Sequence, residues 1–211
     1  MYDNVIWDFN GTIIDDVDIG INALNKLLKK YGYKTIDDKD HYRSIFGFPI
    51  KEYYARAGFD FNKISYDVLA PLWVEEYLAH EPEAPVIYGV IEAMNKLKSN
   101  GIHQYLVSAT EINMLRDQLK SRGLQNRFEG VFGLDNIHAS SKQTVATEVV
   151  KGLRGNTVML GDTIHDAECA VAAGADVILI ASGHQTYEML SASGHVTVRN
   201  ALEAVDIILG R

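Results

Sequence analysis

A chain of 211 residues with 47% apolar side chains has ample material for a hydrophobic core, and 20 basic against 28 acidic groups leave a net charge of -8. That balance argues against a nucleic-acid surface or an anionic membrane as partner, so an anionic substrate would need local positive charge or a metal. The single cysteine, Cys169, excludes an internal disulfide and fits a reducing cytoplasm. No apolar run approaches the roughly 18 residues of a membrane span, and we expect neither export nor a membrane anchor.

The first apolar run, residues 5–9, carries Asp8 to the turn dipeptide Asn10-Gly11. An ionised carboxylate at the end of a buried strand is costly unless compensated, so Asp8 is either a turn cap or a nucleophile with partners elsewhere. Ile21, Leu24, Leu27 and Leu28 then share one helical face. Residues 16–84 hold several helical stretches and no convincing buried strand, bounded by Asp15-Asp16-Val17-Asp18 and by Glu81-Pro82-Glu83-Ala84-Pro85, where two prolines forbid a continuing helix. Asp15 and Asp16 read here as solvated hinge residues near a helix start. Ile91, Met94 and Leu97 repeat the helical spacing before Asn100-Gly101.

Further short apolar runs follow at 104–107, 131–132, 158–160 and 177–180, with helix-length segments between the later ones. Continuous rather than alternating apolar runs are what strands covered on both faces require. The expected fold is α/β, a doubly wound parallel sheet formed by residues 1–15 and 85–211, with 16–84 inserted as a helical cap. Ligands in such sheets bind beyond the carboxyl ends of the strands.

Polar groups collect where those ends should lie: Asp8-Phe9-Asn10-Gly11-Thr12, then Ser108-Ala109-Thr110, then Lys142, then Gly161-Asp162-Thr163-Ile164-His165-Asp166. Each alone has an ordinary reading as turn residue, surface lysine or helix cap. Together and in this order they resemble the four motifs of the haloacid dehalogenase-like superfamily. The inserted helical region is similar to the small-cap group that includes phosphoglycolate phosphatases and β-phosphoglucomutases.

The resemblance implies a phosphatase acting on a small phosphorylated metabolite. Asp8 would attack phosphorus and form an aspartyl-phosphate. Mg2+ would be held by Asp8, the main-chain carbonyl of Asn10 and Asp162, with Asp166 acting directly or through water; a hard cation is also what clustered carboxylates need. Thr12, Ser108 and Ala109, with main-chain N–H groups, would hold the phosphoryl oxygens, and Lys142 would neutralise charge on Asp8 and phosphate. In the cap, Arg43 and the loop Phe46-Gly47-Phe48-Pro49 resemble the substrate-facing region of small-cap enzymes; Lys51, Tyr53 and Tyr54 are weaker candidates. His165 and His184 are expected to line or brace the site.

Asn10 departs from the family pattern, in which a second aspartate protonates the leaving oxygen and later activates water. An amide has no titratable proton to give. The missing acid–base step is worth about 100- to 10,000-fold. Three outcomes are open: leaving groups that need little protonation, such as aryl or acyl phosphates, are used, another base such as His165 is recruited, or turnover is slow. The alternatives are a phosphate-binding or regulatory protein that kept the fold, and a phosphonatase, which would need a Schiff-base lysine for which Lys51 is the candidate. The acidic fourth motif argues against haloacid dehalogenation, and Asn10 against mutase chemistry.

Overall fold

The computed structural model describes residues 2–135 and 141–210. The chain opens with β1 (Asn4–Trp7), whose four residues are all buried. Four helices follow: α1 (Val17–Lys30), α2 (Lys39–Ile45), α3 (Ile50–Arg56) and α4 (Tyr66–His80). A 3-10 turn at Glu81–Glu83 then leads to α5 (Val90–Ser99), β2 (His103–Glu111), α6 (Ile112–Ser121) and β3 (Gly130–Leu134). The remaining elements are α7 (Lys142–Gly152), β4 (Thr157–Gly161), α8 (Ile164–Ala173), β5 (Asp176–Ile180), α9 (Tyr187–Ala192), β6 (Val196–Val198) and α10 (Ala201–Ile208).

The six strands form one parallel sheet in the order β3-β2-β1-β4-β5-β6. The two-residue period of a strand sends Val5, Trp7, Leu106, Val158, Leu160 and Ile178 into one apolar cluster with α5, α6 and α10. Ile6, Val107, Met159 and Leu179 point the other way and pack on α7, α8 and α9. Covered on both faces, the central strands read as unbroken apolar runs, as the sequence led us to expect. The sixth strand was not foreseen, because three residues are too few for a periodic signal. The expected run at 104–107 is also longer: pairing with β3 is regular to Val107, shifts, and resumes at Glu111, so Ser108, Ala109 and Thr110 lie at the irregular carboxyl end of β2.

Helices α1–α4 carry a third cluster of their own, built from Ile21, Leu24, Leu28, Tyr42, Tyr53 and Tyr54 among others. Its two connections to the sheet run side by side, with Asp15 N donating to the Pro85 carbonyl (2.9 Å) and Ile87 N to the Ile13 carbonyl (2.9 Å). The helical segment therefore hangs from one paired stem beside the end of β1.

Candidate active site

Asp8 is the first residue past β1, and its N–H donates to the Leu160 carbonyl of β4 at 2.8 Å, so the two central strands stay in register up to the site. The same register sets Asp162 one residue beyond β4. Thr163 then caps α8: its hydroxyl oxygen is 3.4 Å from Asp166 N, and Asp166 Oδ2 in return accepts from Thr163 N at 3.0 Å and Thr163 Oγ1 at 2.6 Å. This reciprocal cap fixes Asp166 beside Asp162. Lys142, the first residue of α7, places its ammonium between Asp8 Oδ1 and Asp166 Oδ1 and pairs with both. The Thr12 hydroxyl lies within reach of Asp8 Oδ2 (3.2 Å) and Asp162 Oδ1 (3.4 Å).

Two glycines make room for this approach. At Gly11, with φ +69°, a Cβ would stand 2.3 Å from Asp162 Oδ2, and at Gly183 it would stand 2.1 Å from the same oxygen. Asp162 can occupy that space only because both positions lack a side chain.

Carboxylate oxygens of Asp8, Asp162 and Asp166 all lie within 4.8 Å of one another, and all three residues are buried. Burial pushes the Asp8 carboxyl up to about 6 against the pull of Lys142, and pushes Asp162 up to about 8 against the pull of His184. Asp166 keeps its carboxyl below the usual range despite burial, because Lys142 and the Thr163 donors favour its charged form. The Lys142 ammonium is held above its ordinary value, its burial outweighed by Asp166 and Asp8.

An all-oxygen set suits a hard cation, and its spacing is near the roughly 4.2 Å that separates opposite oxygens around an ion with ligands at about 2.1 Å. With all four carboxyls ionised, Asp8, Asp16, Asp162 and Asp166 would face Lys142 and a charged His184 with two negative charges in excess, and a divalent ion would offset the burial that otherwise favours their protonated forms. The residues present fit such an ion: three buried carboxylates converge, and the Asp166 oxygens also serve Lys142 and Thr163.

Asn10 is held at both ends of its amide. Its Nδ2 donates to Asp16 Oδ2 (3.0 Å) and to the Tyr77 hydroxyl (2.7 Å), while Oδ1 accepts from Thr110 Oγ1 at 3.3 Å. The Tyr77 hydroxyl in turn donates to Asp16 Oδ2 (2.7 Å), and Gly11 N donates to Asp16 Oδ1 (2.8 Å). His184 Nε2 meets Asp16 Oδ1 at 3.2 Å, and its Nδ1 meets the Tyr42 hydroxyl at 2.9 Å. Burial opposes charge on this ring, but Asp16 outweighs it and raises His184 to about 9. Asp16 itself stays below the usual carboxylate range: its burial is outweighed by His184, Tyr77 and Asn10.

The expectation that Asp15 and Asp16 are both solvated is therefore corrected for Asp16, which is 2% exposed, while Asp15 does face solvent. The helical phase carried the signal: Asp16 precedes Gly20 and Leu24 by four and eight residues, and both lie on the buried face of α1.

These groups floor a cavity of about 620 Å³, into which Ser108, Ala109 and Thr110 also open. Its other wall comes from the helical segment. Tyr66, Ala70, Trp73, Val74, Tyr77 and Leu78 form one continuous stripe of α4, joined by Tyr42, Phe46, Phe48, Tyr53 and Tyr54. The α4 stripe was missed by sequence reasoning. Its signal was a helix apolar nearly all round, with Leu69 and Leu72 turned to the helical core and a second apolar face left over.

Of the expected cap contacts, Arg43 stands outside the cavity lining and donates Nε to the Gly183 carbonyl (2.8 Å). Gly47 also stands outside the lining; a Cβ there would approach Arg56 and Gln185. Lys51 lies over the Phe61 ring at 5.6 Å, away from the cavity. His165 does line it, stacked on Phe48 at 4.3 Å between ring centres and beside Glu168 at 3.0 Å.

A family model described as haloacid dehalogenase-like hydrolase matches residues 5–180. The chain is 25% identical over 189 residues to a phosphoglycolate phosphatase of Caulobacter vibrioides, covering 85% of this chain and 79% of that protein. It is 23% identical to pyrophosphatase PpaX of Listeria monocytogenes, covering 78% and 76% of the two chains. Its fold matches a haloacid dehalogenase-like family hydrolase from Streptococcus pneumoniae with a TM-score of 0.82 at 21% identity, over 98% of each chain.

Proposed function

The chain belongs to the haloacid dehalogenase-like hydrolase family and is a phosphatase of that family; we propose that it hydrolyses a small phosphate ester with Mg2+ through an aspartyl-phosphate on Asp8. The observation that carries this reading is the buried Asp8, poised between the Lys142 ammonium and the Thr12 hydroxyl at the edge of an all-oxygen cation cluster. Asp8, the Asn10 carbonyl and Asp162 would hold the ion, with Asp166 behind them. Once bound, the ion supplies neutralisation of charge on the transferring phosphoryl group.

Asp8 Oδ attacks phosphorus while Lys142 and the polar end of β2 at Ser108 and Ala109 balance the phosphoryl oxygens. Water then cleaves the aspartyl-phosphate. Asn10, fixed between Thr110 and Asp16, orients the opening of the site but holds no proton for the leaving oxygen. Residues 16–84 act as the cap of a core formed by 1–15 and 85–211, and the buried free Cys169 is consistent with a cytoplasmic enzyme.

The test is phosphate release from 4-nitrophenyl phosphate with Mg2+ and with excess EDTA, in the native protein and in Asp8→Asn. The expected outcome is release that needs the ion and falls by roughly 10,000-fold or more in the variant, a fraction of the 10⁶-fold or greater accelerations typical of enzymes. Ion-independent release, or release that survives Asp8→Asn, contradicts the proposal.

A further inference from the structure

The wall contributed by the helical segment states what the phosphate is attached to. Its cavity face is aromatic and aliphatic, and among the described residues no lysine or arginine of α1–α4 lines it. The nearby cations are already engaged: Arg43 with the Gly183 carbonyl, Arg56 Nε with the Ile45 carbonyl at 2.7 Å, Lys51 over Phe61. The floor adds none to spare, since Lys142 serves two carboxylates and His184 serves Asp16. Asp16 and Glu111 line the cavity as well. A second anionic group on the substrate would thus lose its hydration and meet no counter-charge.

The same cavity suits a ring. Trp73 stacks on Tyr77 with 5.0 Å between centres and 12° between planes, Phe48 stacks on His165, which also lines the cavity, and Phe48 and Val74 remain 41% and 46% exposed. Aromatic faces gain affinity from a well-placed ring partner beyond burial itself. Asn10 points to the same class independently, because a phenolate departs without the proton that an alkoxide needs.

We infer that the substrate is a phosphate monoester of an uncharged aromatic alcohol of the phenol type, its ring seated against α4 and its phosphate at Asp8. This rests on the phosphatase reading above. The Asp8 oxygen forms a bond to phosphorus as the bond from phosphorus to the aryl oxygen breaks, and the electron pair leaves on the phenolate, which takes a proton from solvent. Water then adds to phosphorus and frees Asp8, giving hydrogen phosphate and one proton.

Two arms test it. In the first, kcat/KM is compared for 1-naphthyl phosphate, phenyl phosphate and 2-phosphoglycolate. Phenyl phosphate has a leaving group of similar acidity to naphthol, so the first pair isolates the fit of the larger ring. The expected result is a preference of at least about tenfold for the naphthyl ester over each of the others. Val74→Arg, at an exposed position on the rim, should lower the naphthyl value and raise that for phosphoglycolate. The second arm needs no turnover: 1-naphthol should quench tryptophan fluorescence saturably in native protein and in Asp8→Asn, with the quench lost in Trp73→Phe. Preference for phosphoglycolate, or no saturable quench, overturns the inference while leaving the phosphatase reading standing. Absence of phosphate release from every ester overturns that reading, and the quench then decides whether the cavity is an aryl site.

Discussion

The two walls of the cavity are built on opposite principles. On the sheet side, charged groups lie at the ends of β1 and β4 and the start of α7, linked by hydrogen bonds to one another and to Thr12 and His184 N. On the helical side, six residues of α4 and the aromatic cluster above them present ring faces with few polar atoms. One wall is organised by charge balance and the other by shape. The lesson is a division of labour: the chemistry is fixed by groups whose removal unbalances the site, while the choice of substrate rests on surfaces that tolerate change.

The largest expected stability effect on this contrast is from Lys142→Met. Removing the cation leaves the buried Asp8 and Asp166 without their counter-charge, and breaking such pairs costs about 3–5 kcal/mol. Urea unfolding of the ion-free variant should show that loss; a cost under about 1 kcal/mol would mean the sheet-side wall is not held by charge balance. Next is the ion itself. Mg2+ at a hundredfold excess over its Kd should stabilise the protein by about 2.7 kcal/mol, or roughly 5–10 °C in Tm, and EDTA should reverse the rise. Asp162→Asn should abolish the shift. A smaller effect is expected where the two walls meet: Tyr42→Phe removes the hydroxyl that accepts from His184 and should cost about 1–2 kcal/mol. Unchanged unfolding would show that this contact does not join the walls.

The walls also differed in how well they could be read from sequence. Asp8 stood out because a charged residue at the end of an apolar strand is costly without a partner, while Lys142, Asp162 and Asp166, each ordinary alone, stood out by their order along the chain as motifs that resemble the family's. The sheet was equally plain in its unbroken apolar runs, apart from the three-residue β6. Asp16 was hidden by its company: beside Asp15 and Asp18 it looked like one more solvated acid, and only the phase of α1 separates it from them. The α4 stripe was hidden for the opposite reason, since an apolar residue that lines a cavity is chemically the same as one that fills a core. Arg43 drew attention by resemblance to the substrate-facing region of small-cap enzymes, yet its Nε donates to the Gly183 main-chain carbonyl.

The central claim is that the sheet-side wall transfers the phosphoryl group without an acid at residue 10. In Asn10→Asp, the new carboxyl would face Asp16 across the 3.0 Å now spanned by the amide, and two carboxyls so close retain a proton between them. The decisive measurement is the dependence of kcat/KM on leaving-group pKa across a series of phosphate esters, in the native protein and in Asn10→Asp. The account predicts a steep fall for the native enzyme and a shallow one for the variant, with a gain of about 100- to 10,000-fold on the poorest leaving groups. The same shallow dependence in both proteins would contradict it.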